Sequence, residues 1–204
     1  VLEIKDTYKT IEIQTEEILF KEKNSKFFGY AFPVSTTDEI KIYIEKLKKQ
    51  HFGAVHFCYA YQIGTEKIEF RANDDGEPSN SAGIPIYGQI QSFGLTNILI
   101  VVVRFFGGTK LGVGGLITAY KTTAQLVLEN ASILEKTIDI RFKITFDYKN
   151  INKVMRIIKE KQLDIQSQKM EENCELIIVT RKKNAERVFD IFDSIFEISI
   201  SKLD

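Results

Sequence analysis

The chain has 204 residues, 44% of them hydrophobic, enough for one substantial core or two modest ones. It carries 28 basic and 28 acidic side chains, divided evenly: residues 1–134 hold 14 and 15, residues 135–204 hold 14 and 13. A net charge of zero excludes affinity for nucleic acid through bulk charge, so any such binding has to come from a local patch.

In chain order, residues 10–20 and 26–34 are rich in β-formers and read as strands separated by the polar turn 21–25. Thr37 and Asp38 open a helix to about residue 50, with Ile40, Tyr43, Ile44 and Leu47 on one stripe that covers a sheet. Residues 54–63 alternate, setting Ala54, His56, Cys58 and Ala60 on one face and Val55, Phe57, Tyr59 and Tyr61 on the other. A strand over 67–71 precedes a polar, acidic segment at 72–81 and a short helix over 85–93. The near-continuous apolar run from Asn97 to Val103 reads as a strand buried on both faces. A Gly-rich loop follows it, and a helix from about Gly115 to Asn130 closes the first domain.

Beyond residue 135 the order changes to strand 137–148, helix 150–161, strand 163–170, strand 174–180, helix 184–195 and strand 196–203. This is βαββαβ, the ferredoxin-like split βαβ. Asn150 and Asn184 are expected as N-caps, and Glu171-Glu172-Asn173 as a hairpin turn. The predicted fold class is α+β in two domains, 1–134 and 135–204, joined by a connector near 131–137. No stretch approaches the roughly 18 apolar residues of a membrane span, and the N-terminus lacks a basic-then-apolar leader. Cys58 and Cys174, far apart and without a CxxC or histidine cluster, read as reduced buried thiols. A cytoplasmic location without membrane association is the expectation.

Residues 104–121 concentrate the chemistry. Five glycines, Gly107, Gly108, Gly112, Gly114 and Gly115, lie between a buried strand and a helix, flanked by Arg104 and Lys110. Backbone N–H groups converging in such a turn, together with a helix dipole, make an anion site. The alternative is that the glycines serve only tight packing and positive φ. The spacing fits neither the Walker loop nor the dinucleotide fingerprint, so no nucleotide cofactor is implied, and no cofactor or metal is expected. Lys26 and Arg71 join Arg104 and Lys110 as candidate phosphate contacts. For Arg104, at the end of a buried strand, an ion pair with Asp74, Asp75 or Glu77 is the equal alternative.

Asp74, Asp75 and Glu77 place three carboxylates within four residues, suited to a hard cation or an acid–base pair, or simply to Asx turns. His56 faces the same region, either as a proton carrier or as a core histidine bonded to Asp74 or Asp75. His51, at a helix end, reads as a partner for the dipole.

Five blocks in order, Asn24-Ser25-Lys26-Phe27, Ala54-x-His56-x-x-Tyr59-Ala60-Tyr61, Asp74-Asp75-Gly76-Glu77-Pro78, Ala82-Gly83-x-Pro85 and Arg104-Phe105-Phe106-Gly107-Gly108 through Leu116, resemble the IMPACT/YigZ family. The resemblance covers the first domain and implies the fold shared by a small-subunit ribosomal protein and domain IV of elongation factor G. The second domain is similar to the last domain of elongation factor G. The resemblance also implies a link to translation, where eukaryotic members act through a protein partner that activates an initiation-factor kinase. Asn80-Ser81 stands where members usually carry Gly-Thr, and Thr118 where they carry a basic residue; Lys121, about 60° around the helix, replaces that cation only in part.

Two functions follow as expectations. The leading one is a non-enzymatic regulator linked to translation that binds structured RNA or the ribosome through Lys26, Arg71, Arg104, Lys110 and the glycines. The alternative is an enzyme acting on a small substrate with His56, Asp74, Asp75 and Glu77.

Overall fold

A computed structural model describes residues 5–203, which form two compact units, residues 8–136 and residues 137–203 together with 5–7. The first contains β1 (Thr7–Ile11), β2 (Ile18–Glu22), β3 (Ser25–Pro33), α1 (Thr37–Gln50), β4 (His56–Ile63), β5 (Glu69–Asn73), α2 (Gly83–Ser92), β6 (Ile98–Phe105), α3 (Gly112–Glu129) and β7 (Ile133–Thr137). Five of these strands make a sheet in the order β2-β3-β6-β4-β5, every neighbouring pair antiparallel.

The apolar run of β6 explains its place at the centre of that sheet: residues 98–103 are fully buried because each face is covered. On one face α2 and α3 pack Ile86, Ile90, Tyr120, Ala124 and Val127 against Phe27, Cys58, Ala60, Ile100 and Val102. On the other, α1 sets Ile40 and Leu47 against Tyr30, Phe32, Phe57, Tyr61, Leu99 and Val101. From Phe57 to Tyr61 the expected alternation is the alternation between these two cores, whereas Ala54, before β4, packs on the α1 side and not with Cys58 and Ala60.

The second unit contains β8 (Asp139–Asp147), α4 (Ile151–Lys161), β9 (Asp164–Lys169), β10 (Asn173–Arg181), α5 (Lys182–Asp193) and β11 (Ile198–Leu203). Its antiparallel sheet runs β11-β8-β10-β9, the strand order that a split βαβ requires. Val154, Ile157, Ile158, Val188 and Phe192 of its helices share one core with Ile144, Leu176 and Ile178. The chain is an α+β protein with two domains.

Several element boundaries differ from expectation for identifiable reasons. The strand expected over 10–20 is two: β1 leaves to pair with β7, a segment expected as connector, and the chain bends before β2. α1 is capped one residue earlier, by Thr36, whose hydroxyl accepts from the Glu39 N–H while the Glu39 carboxylate accepts from Thr36. Asn184 is not an N-cap; it lies inside α5, which starts after Arg181. Asn150 stands before α4 without a side-chain cap and donates instead to Glu197 at 3.3 Å.

Candidate nucleic-acid interface

Arg104 closes β6 at 5% exposure, on the face shared with α2 and α3. Its Nη1 donates to Glu77 Oε1 at 2.6 Å, and Nη2 lies 3.4 Å from Ser25 Oγ. The guanidinium sits 5.5 Å from the ring centres of both Phe27 and Phe106. Glu77 Oε1 also accepts from the Tyr120 hydroxyl at 2.7 Å, and Cys58 Sγ is 3.3 Å from the same hydroxyl. Burial and the nearby Cys58 and Glu77 push the Tyr120 hydroxyl far above its ordinary pKa, and burial does the same to the Cys58 thiol. Neither gives up a proton at neutral pH. Arg104 therefore takes the ion-pair alternative, and its expected phosphate contact is corrected: the charge is buried and matched within the fold.

The acidic loop is likewise committed. Asp74 accepts from the N–H groups of Asn80, Ala82 and Gly83 at 2.8–2.9 Å. Because Ala82 supplies no cap of its own, Asp74 caps α2 from eight residues upstream and meets the positive end of its dipole. Asp75 Oδ2 accepts the Phe57 N–H at 2.6 Å. His56 Nδ1 meets the Asp75 carbonyl oxygen at 2.8 Å, not a carboxylate, while Nε2 stays 3.9 Å from Glu77. Among the described residues no three His, Cys, Asp or Glu side chains converge as a metal would need. The enzymatic alternative thus keeps His56 near Glu77, but Asp74 and Asp75 are held by backbone donors. Asn80 adopts φ of 60°, a left-handed position that asparagine tolerates and glycine fills most readily.

The Gly-rich segment divides into a loop and a helix start. Gly107 and Gly108 belong to the loop, whereas Gly112, Gly114 and Gly115 form the first turn of α3, three residues earlier than expected. That turn has neither an acidic residue nor a side-chain cap, and Thr118 turns its hydroxyl back onto the Gly114 carbonyl at 3.0 Å. Gly114 and Gly115 line a cavity of about 250 Å³ together with Glu22, so a carboxylate of the chain itself faces this turn.

Gly107 has a different task. A Cβ there would fall 2.1 Å from the Asn24 carbonyl carbon, and its N–H donates to Ser25 Oγ at 3.2 Å. Only a bare backbone lets the loop lie against the β2–β3 turn, where Lys23 and Asn24 take left-handed φ of 45° and 66°. The contact unites two basic segments about eighty residues apart. Lys21, Lys23 and Lys26 on the hairpin and Lys110 on the loop are all exposed, and none makes an ion pair among the described residues. Phe106, 51% exposed, lies in the same loop.

Lys26 lies on the hairpin and Lys110 on the loop, and Lys21 and Lys23, which the sequence does not single out, share the hairpin with Lys26. Arg71 is a correction. It sits on β5 opposite Tyr61, at the far edge of the sheet from β2 and on the α1 face, five β6 residues away from Arg104 in register. His51 is also corrected: it is buried at 8% exposure, its Nε2 2.5 Å from the Tyr30 hydroxyl, and burial holds its pKa below the ordinary value. A neutral ring of this kind is no partner for a helix dipole.

A five-stranded antiparallel sheet with helices on both faces, linked to a split βαβ and carrying this hairpin and loop, defines a two-domain α+β protein with exposed lysines on the hairpin and the loop. The chain belongs to the IMPACT family: the Impact N-terminal domain matches residues 23–128. It is 35% identical to IMPACT family member YvyE of Bacillus subtilis over 177 residues, 87% of this chain and 81% of that protein. It is 33% identical to an IMPACT family member of Haemophilus influenzae, covering 83% and 84% of the two chains. The crystal structure of a hypothetical protein superposes with a TM-score of 0.73 at 21% identity, covering 98% of this chain and 99% of that one, a likeness of fold alone. Among the described residues no helix is long and apolar enough to cross a membrane.

Proposed function

We propose that this protein binds RNA, alone or within the ribosome, through the surface formed by the β2–β3 hairpin and the loop after β6, and that it acts in translation without catalysing a reaction. The observation that carries the reading is that Lys21, Lys23 and Lys26 stand on the hairpin and Lys110 on the loop that Gly107 holds against it, all exposed and without ion pairs among the described residues. Like charges are brought together at a cost in mutual repulsion, which a polyanion relieves. The translation-linked part of the reading rests on family membership.

The test is binding to purified ribosomal subunits and to total RNA across a salt series. Affinity is expected to fall steeply with salt, and replacing all four lysines by alanine is expected to flatten the log–log slope by roughly 0.7–0.9 for each phosphate that is no longer neutralised. Binding that ignores salt, or a quadruple variant with an unchanged slope, would overturn the assignment.

A further inference from the structure

The end of the five-stranded sheet beyond α1 carries an arrangement that phosphate binding alone does not use. Lys21 lies opposite Lys26, and Lys26 opposite Phe105, so three adjacent strands present these side chains in one transverse row on the α1 face. Val55, which precedes β4 and is 57% exposed, donates its N–H to the Arg104 carbonyl and so extends the row past Phe105. The row spans about 14 Å, three strand spacings. Two lysines occupy one end and two apolar side chains the other.

Phe52 is 95% exposed at the tip of the turn between α1 and β4, which is closed by the Ala54 N–H on the His51 carbonyl. The turn is fixed to the row by His51, whose ring lies 5.0 Å from Phe28 and 5.9 Å from Phe105. An aromatic ring held at this exposure on a short, anchored turn gains nothing from the fold, because it buries almost no surface. The far end of the row holds two cations without ion pairs among the described residues. A flat apolar group at one end and phosphate-seeking charge at the other is the composition that grips an unpaired nucleotide strand.

We infer that Phe52 and Val55 form a stacking platform for an unpaired base, and that Lys21 and Lys26 hold the phosphates on its flank, so that the nucleic acid selected is single-stranded. This rests on the proposed RNA-binding function and narrows it to a ligand class. Lys21 and Lys26 act on charge, and Phe52 on the base.

The test uses the full chain and two fluorescent ligands, decauridylate and an abasic strand of equal length, read by anisotropy. The wild type is expected to prefer decauridylate. Phe52→Ala should weaken decauridylate roughly 5- to 100-fold and leave the abasic strand unchanged, and Phe52→Trp should restore the preference. Lys21→Ala with Lys26→Ala should weaken both ligands. Equal affinity of the wild type for the two strands overturns the platform, as does an unchanged preference in Phe52→Ala; the latter leaves Phe52 as a contact for a protein while RNA binding stands. If neither strand binds the wild type but salt-dependent ribosome binding persists, only the single-strand assignment fails. If ribosomes and RNA also fail to bind, both fall.

Discussion

Glu77 is the acceptor on which the polar centre of the first core depends, since its Oε1 receives both the Arg104 guanidinium and the Tyr120 hydroxyl. Glu77→Ala would leave a buried cation unmatched and is expected to cost about 3–5 kcal/mol, read as a lowered urea midpoint. Arg104→Met combined with Glu77→Gln should recover most of that loss, because no charge is then orphaned and the side-chain amide carbonyl at position 77 still accepts from Tyr120. His51 contributes with the opposite dependence on charge. Burial lowers its folded-state pKa, only partly opposed by Glu17, so the unfolded chain binds the extra proton. Its stabilising contribution is complete above the unfolded value of about 6.5 and is lost as pH falls through the lower folded value. His51→Gln is therefore expected to make the fall in Tm on acidification shallower than in the wild type. At this scale the sequence is legible where burial forces an answer: a charged residue ending a buried strand has to find a partner or a ligand, and Glu77 is among the partners that the spacing offers. Lys21 and Lys23 are not legible. Nothing local distinguishes them from other surface lysines until the hairpin is laid against a loop eighty residues away.

At the level of elements, the strongly periodic segments are readable and the breaks between them are not. β6 announces itself by an apolar run and α1 by its stripe, because each pattern is imposed by what covers the element. The end of β1 is set by β7, a partner more than a hundred residues distant, so residues 10–20 carry no local sign of two strands. The start of α3 is obscured because glycine is a poor helix former, and here three glycines occupy the first turn. These glycines are not equivalent. Gly114→Ala meets no atom within 4 Å and is expected to stabilise the helix by about 0.5–1 kcal/mol. Gly107→Ala must push the loop away from Asn24, and is expected to lower RNA affinity and raise amide exchange at the β2–β3 turn.

At the level of the molecule, the second unit takes residues 5–7 from the start of the chain. The Ile138 N–H donates to the Asp6 carbonyl at 2.7 Å, and the Asp6 carboxylate lies 2.9 Å from an Arg181 nitrogen. Asp6→Ala is expected to lower the stability of that unit by up to about 1 kcal/mol, the scale of a pair whose arginine is 41% exposed. The loss should appear as faster exchange in β8 and β10 with β3 and β6 unaffected. The two-domain division is visible in the change of element order, whereas the placement of residues 5–7 in the second unit involves the Asp6 carbonyl and carboxylate, which no pattern in the sequence marks.

The two cysteines have a practical consequence. Cys58 and Cys174 are the only thiols, each fully buried in a different core, and each hydrogen-bonded to a backbone carbonyl. An alkylating reagent reaches either one only when its own unit opens. Peptide-resolved labelling rates therefore serve as two internal clocks, one for each half of the chain, and a ligand seated on the first half should slow the Cys58 clock while the Cys174 clock keeps its pace.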